Sequence, residues 1–318
     1  MKRSRFNNYI ILLVLISLIA FFSIANFKAF LTVDNFFTVI RQVSMLGIAA
    51  VGMTFVMLVG GLDLSVGTMQ GLTGVVVASM MVNFGVNPII AIVVTLGVGI
   101  LVGYANGLIV TKLKVTPFIT TLSMMTIIKG IAFTYTGGFP IYGFNESFQI
   151  LGQGYVLSII PIPVVIMVAI FIIGWILLNN TYIGRYLYSV GGNEEASRLS
   201  GINVKKVKMT AYMSSGLTAA IAGVILCSRL NSGQPNAGAG FEFDVITAVV
   251  LGGVSLSGGV GRLQSVFIGV LIMGVLSNGM TIISINEYIQ WIVKGLVLII
   301  AVALDEMGRK KSRLSVGA

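Results

Sequence analysis

The chain has 318 residues, of which 56% are hydrophobic and only 9% charged, and its formal net charge is +10. A soluble domain carries about a quarter charged residues and could not bury so much apolar side chain, so the composition excludes a soluble fold. Histidine is absent and Cys227 is the single cysteine. The sequence therefore predicts an integral membrane protein with no catalytic residues, no metal site and no disulfide framework.

Apolar stretches long enough to cross a bilayer follow one another along the chain. A hydrocarbon core about 30 Å thick needs about 20 apolar residues per helix, and the sequence contains ten such stretches. The eighth is short and rich in glycine, so it could be a broken span, which is tolerated only where protein or water covers it. The predicted spans are Tyr9–Phe27, Phe37–Val59, Ser65–Val82, Pro88–Val110, Val115–Thr136, Val156–Leu178, Met209–Cys227, Val245–Val260, Leu263–Ile283 and Ile289–Ala303.

The basic residues predict the orientation. With both termini in the cytoplasm, fifteen of the twenty Lys and Arg residues fall on the cytoplasmic side. Residues 1–318 then form a single all-α transmembrane domain, with a cytoplasmic loop at about 179–208 and a basic cytoplasmic tail at about 305–318. The positive charge is explained by this rule, so no nucleic-acid partner is predicted.

A glycine-rich motif with one carboxylate lies between the second and third spans. It contains Gly60, Gly61, Asp63, Ser65 and Gly67. An ionisable residue beside two spans is costly and is by default a candidate functional site. Asp63 and Ser65 also fit the N-cap of the third span, where a side-chain oxygen accepts from free backbone N–H groups. A direct contact with substrate and a structural cap both remain open.

Parts of this motif recur later in the chain. Gly252, Gly253, Ser255 and Ser257 echo residues 60–65 at an offset of 192 residues, and a second echo, which includes Asn278, has an offset of 172. Transporters are often duplicated, with the substrate pathway between the halves, but glycine-rich membrane helices also look alike by chance. We therefore treat both motifs and Asn278 as candidate pathway or structural residues.

The long cytoplasmic loop contains a short helix signal. Asn193 is a good N-cap, Glu194 and Glu195 suit the first turn, where the helix dipole favours negative charge, and Gly201 can end the helix in the left-handed conformation. The spacing predicts a helix of about two turns. A solvated surface helix and a docking element for a cytoplasmic partner are equally compatible with it.

Four further charged residues lie in or beside spans. Glu242 and Asp244 stand between an outward loop and the glycine-rich eighth span. They could cap that span or face a soluble partner, but the simpler interpretation is a polar surface turn. Lys129 and Lys294 fall within predicted spans, where cations face a bundle interior, pair with carboxylates or extend toward the membrane surface. The chain contains no Gly-x-x-x-x-Gly-Lys-[Ser/Thr] loop and so has no ATPase site of that kind.

Taken together and in order, these stretches resemble the ribose-type sugar permeases of bacterial ABC importers. The matching segments are GMTFVMLVGGLDLSVG at 52–67, TPFITTLSMM at 116–125, GGNEEASRLSGINV at 191–204, AVVLGGVSLSGGVGRL at 248–263, NG at 278–279 and WIVKGLVLIIAV at 291–302. The resemblance covers nearly the whole chain, and the set is specific although each segment alone is not.

The resemblance implies a ten-helix type II importer fold in the bacterial cytoplasmic (inner) membrane, surrounded by lipid and assembled as a homodimer. It implies a cytoplasmic ABC ATPase that binds ATP and Mg²⁺, an extracytoplasmic sugar-binding protein, and a ribose-type pentose or related monosaccharide as substrate. The loop helix resembles a coupling helix that transmits ATPase closure. The implied coupling residues are Gly192, Asn193, Glu194, Glu195, Ala196, Arg198, Leu199, Ser200 and Gly201.

The alternative is a secondary transporter of a small polar solute, driven by an ion gradient. Such a protein needs a buried carboxylate as its coupling site, and Asp63 is the best candidate by sequence. No cofactor is expected within this chain under either interpretation.

Overall fold

The computed structural model describes residues 2–314, with side chains from residue 11 to residue 307. In this range the chain is helical apart from loops and four strands of two residues each. The helices are α1 (Lys2–Ala25), α2 (Phe27–Phe30), α3 (Val33–Leu58), α4 (Val66–Val82), α5 (Pro88–Lys112), α6 (Pro117–Thr136), α7 (Glu146–Gln153), α8 (Ile162–Asn180), α9 (Tyr182–Gly192), α10 (Glu194–Leu199), α11 (Val204–Leu230), α12 (Phe241–Leu251), α13 (Leu263–Ile282) and α14 (Glu287–Leu314).

Seven helices of the described chain are long and apolar enough to cross a membrane, namely α3, α5, α6, α8, α11, α13 and α14. Two shorter apolar helices correspond to Ile11–Ala25 in α1 and to α4. Nine of the ten predicted spans therefore coincide with apolar helices. The count of ten and the orientation stay predictions.

The core of the bundle is built around α3 and α11. The second half of α3 is buried continuously from Val43 to Leu58, and α11 packs against α3, α4 and α5. Small residues allow the backbones to approach closely, as helix pairs in a bilayer require. At Gly103 of α5, a β-carbon would overlap the backbone of Tyr212 in α11. The most buried segments are thus those that flank the first glycine motif.

The predicted eighth span, Val245–Val260, is wrong in its bounds. α12 covers only Phe241–Leu251 and ends where Gly252 and Gly253 break the helix. The preceding segment is not helical and lies along α4, where a β-carbon on Gly71 would come within 2.6 Å of the carbonyl oxygen of Pro235. The span is therefore broken, one of the possibilities that its glycine content left open.

The strands also correct the all-helical prediction in detail. β1 (Ile141–Tyr142) pairs antiparallel with β4 (Ser232–Gly233), and β2 (Tyr155–Val156) pairs with β3 (Ile160–Pro161). The β2–β3 hairpin occupies the start of the predicted sixth span, so α8 begins six residues later than expected. Of the predicted tail, residues 305–314 continue α14, and residues 315–318 lie outside the described part.

Candidate functional site

The short loop helix is present at the predicted position. In α10, the Oδ1 atom of Asn193 accepts a hydrogen bond of 2.9 Å from the N–H of Ala196, as an N-cap should. Glu194 and Glu195 occupy the first turn, and Gly201 ends the segment with a φ of +84°. The capping signals of this helix are local in sequence, which is why the sequence predicts it well.

The outer surface of α10 combines charge with one large apolar side chain. Arg198 pairs with Glu195 at 2.5 Å, Lys208 pairs with Glu194 at 2.6 Å, and Leu199 is 77% exposed. The hydrogen bond from Arg198, and then its charge, hold the pKa of Glu195 below its usual value. The pair is therefore charged at neutral pH. The surface of α10 therefore presents one exposed leucine beside two ion pairs.

Behind α10 lies a backbone contact that we call the glycine junction, formed by Leu58, Gly60, Gly191, Gly258 and Gly259. The N–H of Gly259 donates to the carbonyl oxygen of Leu58 at 2.9 Å. A β-carbon on Gly191 would overlap that oxygen, and one on Gly258 would lie 2.7 Å from the nitrogen of Gly60. The junction joins the end of α9 to the loops that follow α3 and α12.

Next to the junction, Asp63 is buried in a hydrogen-bond network. Its Oδ1 atom accepts from the N–H of Ser65 at 3.0 Å and from the hydroxyl of Ser65 at 2.5 Å. Its Oδ2 atom accepts from Ser215 of α11 at 2.8 Å, and Asn106 of α5 donates to Ser65 at 3.0 Å. Two serines thus satisfy the carboxylate, and the network ties the loop to α5 and α11.

The network corrects one part of the capping prediction. Ser65 is the N-cap residue of α4 by position, but its side chain makes no capping bond. Asp63 instead accepts from the backbone of Ser65, and Thr121 of α6 donates to the carbonyl oxygen of Leu62 at 3.3 Å. Among the residues with described side chains, no lysine or arginine forms an ion pair with Asp63. The geometry favours the structural interpretation of this carboxylate.

The second glycine motif meets the first, but Asn278 does not. Ser257 lies against Gly60 at the junction, and Ser255 donates to Asp305 of α14 at 3.3 Å. Asn278 donates to Asn35 at 2.8 Å. Asn35 lies in the first turn of α3 and Leu58 is its last residue. About 35 Å of helix therefore separates Asn278 from the junction. The candidate residues therefore divide between two ends of the bundle.

Sequence reasoning missed several residues of this site. Gly258 and Gly259 directly follow Ser257 of the second glycine motif, and this glycine pair was the available signal. Ser215 carries no local signal, because its contact with Asp63 spans 152 residues. Asn106 is the counterpart of Asn278 in the second echo, and its bond to Ser65 could not be read from that pattern.

Charged groups also meet at the start of α12, on the side of the bundle away from α10. Lys294 of α14 pairs with Asp244 at 2.7 Å, which settles the partner of that lysine. Glu242 is 4% exposed, and its Oε2 atom has no hydrogen-bond partner in the described structure. A β-carbon on Gly67 would overlap this oxygen. The interpretation of Glu242 as part of a surface loop is therefore wrong.

Lys129 is on the exposed side of α6. Its Nζ atom lies 5.9 Å from the centre of the Phe133 ring. In the described part of the chain, no group of three His, Cys, Asp or Glu residues could hold a metal ion.

The chain is similar to known permease components of transport systems. A family model for the permease component of branched-chain amino acid transport systems matches residues 35–302. The ribose import permease protein of Bacillus subtilis (strain 168) is 48% identical over 297 residues, which is 93% of this chain and 90% of that protein. The ribose import permease protein of Escherichia coli (strain K12) is 45% identical over 300 residues, 93% and 92% of the two chains.

A third relative is named for a different sugar. The L-arabinose transport system permease protein of Escherichia coli (strain K12) is 39% identical over 287 residues, 88% of this chain and 87% of that protein. No solved structure matches. The similarity is therefore to permeases of sugar transport systems over nearly the full length of both chains.

Proposed function

Because the chain belongs to the family of permease components of these transport systems, we propose that it is the membrane-spanning subunit of an ATP-driven importer of a pentose, with ribose the first candidate. The observation that carries this proposal is the 48% identity to a ribose import permease over 93% of the chain. The chain is a multi-pass protein of the bacterial inner membrane. ATP and Mg²⁺ would bind to the partner ATPase and not to this subunit.

The cytoplasmic ATPase docks on α10 in this proposal. The exposed Leu199 would enter a pocket of the ATPase, while the ion pairs of Glu194 and Glu195 orient the contact. The proposed docking residues are Gly192, Asn193, Glu194, Glu195, Ala196, Arg198, Leu199, Ser200 and Gly201.

The glycine junction supplies a route from the ATPase to the membrane. α10 follows α9 directly, and α9 ends at the backbone contact of Gly191 with Leu58 and Gly259. Close-packed backbones have no flexible side chain between them, so a displacement of α10 moves both loops. The loop residues that would shift are Gly60, Gly61, Asp63, Ser65, Gly67, Gly252, Gly253, Ser255 and Ser257. Alternating exposure of the pathway would follow from this movement.

Two copies of the chain would form the importer, with lipid around them and a sugar-binding protein on the extracytoplasmic face. In this orientation the α10 end is cytoplasmic, and both termini lie there as the basic residues predict. The β1–β4 ribbon and the β2–β3 hairpin then face the binding protein.

The test is pentose uptake by proteoliposomes that contain this chain, its ATPase and its binding protein, with ATP inside and no ion gradient. We expect uptake that requires ATP, and loss of at least tenfold for Arg198→Glu and for Glu195→Lys. The double variant Glu195→Arg with Arg198→Glu controls for the ion pair itself: restored uptake would mean that the pair only stabilises α10. Uptake without ATP that collapses on dissipation of a proton or sodium gradient would overturn the proposal in favour of a secondary transporter.

A further inference from the structure

The start of α12 is an unusual place for charge in a membrane protein. Lys294 lies seven residues into α14 and Lys129 seven residues before the end of α6, so both are about 10 Å from the helix ends on the side away from α10. Asp244 lies at the same level because it pairs with Lys294. Three charges thus occupy one depth within the apolar layer.

These charges are not sealed inside the protein. The side chains of Asp244 and Lys294 are 21% and 22% exposed, and Phe243 between Glu242 and Asp244 is 52% exposed. Lys129 is also exposed, and alone it could extend toward the membrane surface. The partly exposed ion pair cannot do so, because each partner holds the other in place. Facing lipid, such a pair would be costly.

The broken backbone gives a second, independent reason. Residues 234–240 form no helix or strand, and α12 begins only at Phe241. Irregular backbone at membrane depth persists only where protein or water covers it. Two buried polar atoms without a partner lie next to this segment. They are the Oε2 of Glu242, beside Gly67, and the Nε2 of Gln70, whose side chain lies against Gly238. Two unsatisfied polar groups beside the same break in the helix indicate that the chain accommodates a polar ligand there.

We propose that the start of α12, with Lys129 of α6 and Lys294 of α14, is the sugar-contacting section of the translocation pathway, covered by a second copy of the chain. This inference rests on the proposed function and deepens it. Sugar hydroxyls both donate and accept, so the carboxylate of Asp244 accepts from them while the two lysines donate to them. Phe243 offers an apolar face to the sugar ring.

The break itself explains how a sugar could reach Glu242. Its carboxylate lies against Gly67, which the 234–240 segment also contacts, and no regular hydrogen-bonded ladder holds that segment to α4. A small shift of the segment away from α4 exposes the Oε2 of Glu242 to the pathway. The same shift exposes Gln70, one helical turn further along α4.

The first experiment compares charge-neutralising variants in the ATP-driven uptake assay. We expect Asp244→Asn and Lys129→Gln to lower pentose uptake at least tenfold, while ATP hydrolysis stimulated by the binding protein stays within twofold of wild type. The matched controls are Asp34→Asn and Lys28→Gln, exposed residues of α3 and α2, which should leave uptake within twofold. Equal uptake by all four variants would overturn the inference. Absence of ATP-driven uptake by the wild-type chain would instead overturn the proposed function.

The second experiment does not depend on transport. In the assembled complex, Phe243→Cys should react with a charged, membrane-impermeant methanethiosulfonate, and saturating pentose should slow the reaction at least threefold. Ile172→Cys of α8, at 53% exposure, is the matched lipid-facing control and should not react. The native Cys227 is buried and gives a low background. An unreactive Phe243→Cys, or a reaction that pentose leaves unchanged, would refute the pathway assignment.

Discussion

The N–H of Gly259 donates a hydrogen bond to the carbonyl oxygen of Leu58 at 2.9 Å, and Gly191 packs against both residues. This contact brings together three segments that are distant in sequence: the ends of α3 and α9 and the loop after α12. It explains why glycine pairs recur in the motifs around it, since a side chain at Gly191 would occupy the position of backbone atoms.

The first prediction concerns Gly191→Ala. The new methyl group would overlap the carbonyl oxygen of Leu58, so the junction must open. We expect a loss of about 1–3 kcal/mol in stability, seen as a lower unfolding temperature in detergent, and uncoupling of ATP hydrolysis from uptake. Gly97→Ala in α5 is the control, because a β-carbon there meets nothing within 4 Å. Full coupling in Gly191→Ala would refute the junction as a route of transmission.

The second prediction separates the two interpretations of Asp63. Asp63→Ala removes the acceptor for Ser65 and Ser215, and each buried donor left without an acceptor costs about 1–3 kcal/mol. Asp63→Asn retains an acceptor for Ser65, and Ser215 can turn to accept. We therefore expect Asp63→Ala to destabilise the protein strongly and Asp63→Asn to retain ATP-driven uptake. If Asp63→Asn folds well but transports nothing, Asp63 has a direct role in transport.

The third prediction tests α10 as a docking element. Leu199→Asp places a charge on the most exposed apolar side chain of the helix, without disturbing any buried contact. We expect at least a tenfold weaker affinity for the ATPase and an unchanged unfolding temperature. Leu157→Asp in the loop between β2 and β3 is the control. Leu157 is similarly exposed, but it lies at the end of the bundle away from α10. Unchanged affinity in Leu199→Asp would remove α10 from the ATPase interface.

The fourth prediction follows from the pKa of Glu195, which Arg198 lowers. A lowered pKa means that the contribution of the pair is complete above the pKa of the unfolded chain and is lost as pH falls through the folded value. Affinity for the ATPase should therefore be constant from about pH 6 to 8 and should decline only in the acid range. In Arg198→Gln, the decline should begin at a higher pH. A decline already at neutral pH in the wild-type chain would contradict this account.

The sequence predicted those features that depend on local chemistry. Apolar length located nine apolar helices, and Asn193 with its following glutamates located α10 within one residue. The eighth span failed because Gly252 and Gly253 were counted as membrane residues, whereas they end α12. Glycine permits both helix packing and helix termination, and composition cannot separate the two.

The echoes along the chain show a related limit. One echo aligns the loop before α4 with the loop before α13, the other aligns α5 with α13, and a single duplication cannot satisfy both. Contacts such as that of Asp63 with Ser215 depend on how α3 and α11 are packed, and this is fixed by tertiary structure. Likewise, Glu242 was placed in a surface loop because nothing near it in sequence reveals that α4 covers it.

The broken eighth span also constrains how the protein is made. The 11 residues of α12 cover about 16 Å, roughly half of a bilayer core, so this segment cannot partition into the membrane as an independent helix. The irregular segment before α12, residues 234–240, packs on Gly67 and Gly71 of α4, and α4 emerges from the ribosome long before it. Insertion of this segment therefore depends on α4, which must already be in place to cover the irregular backbone.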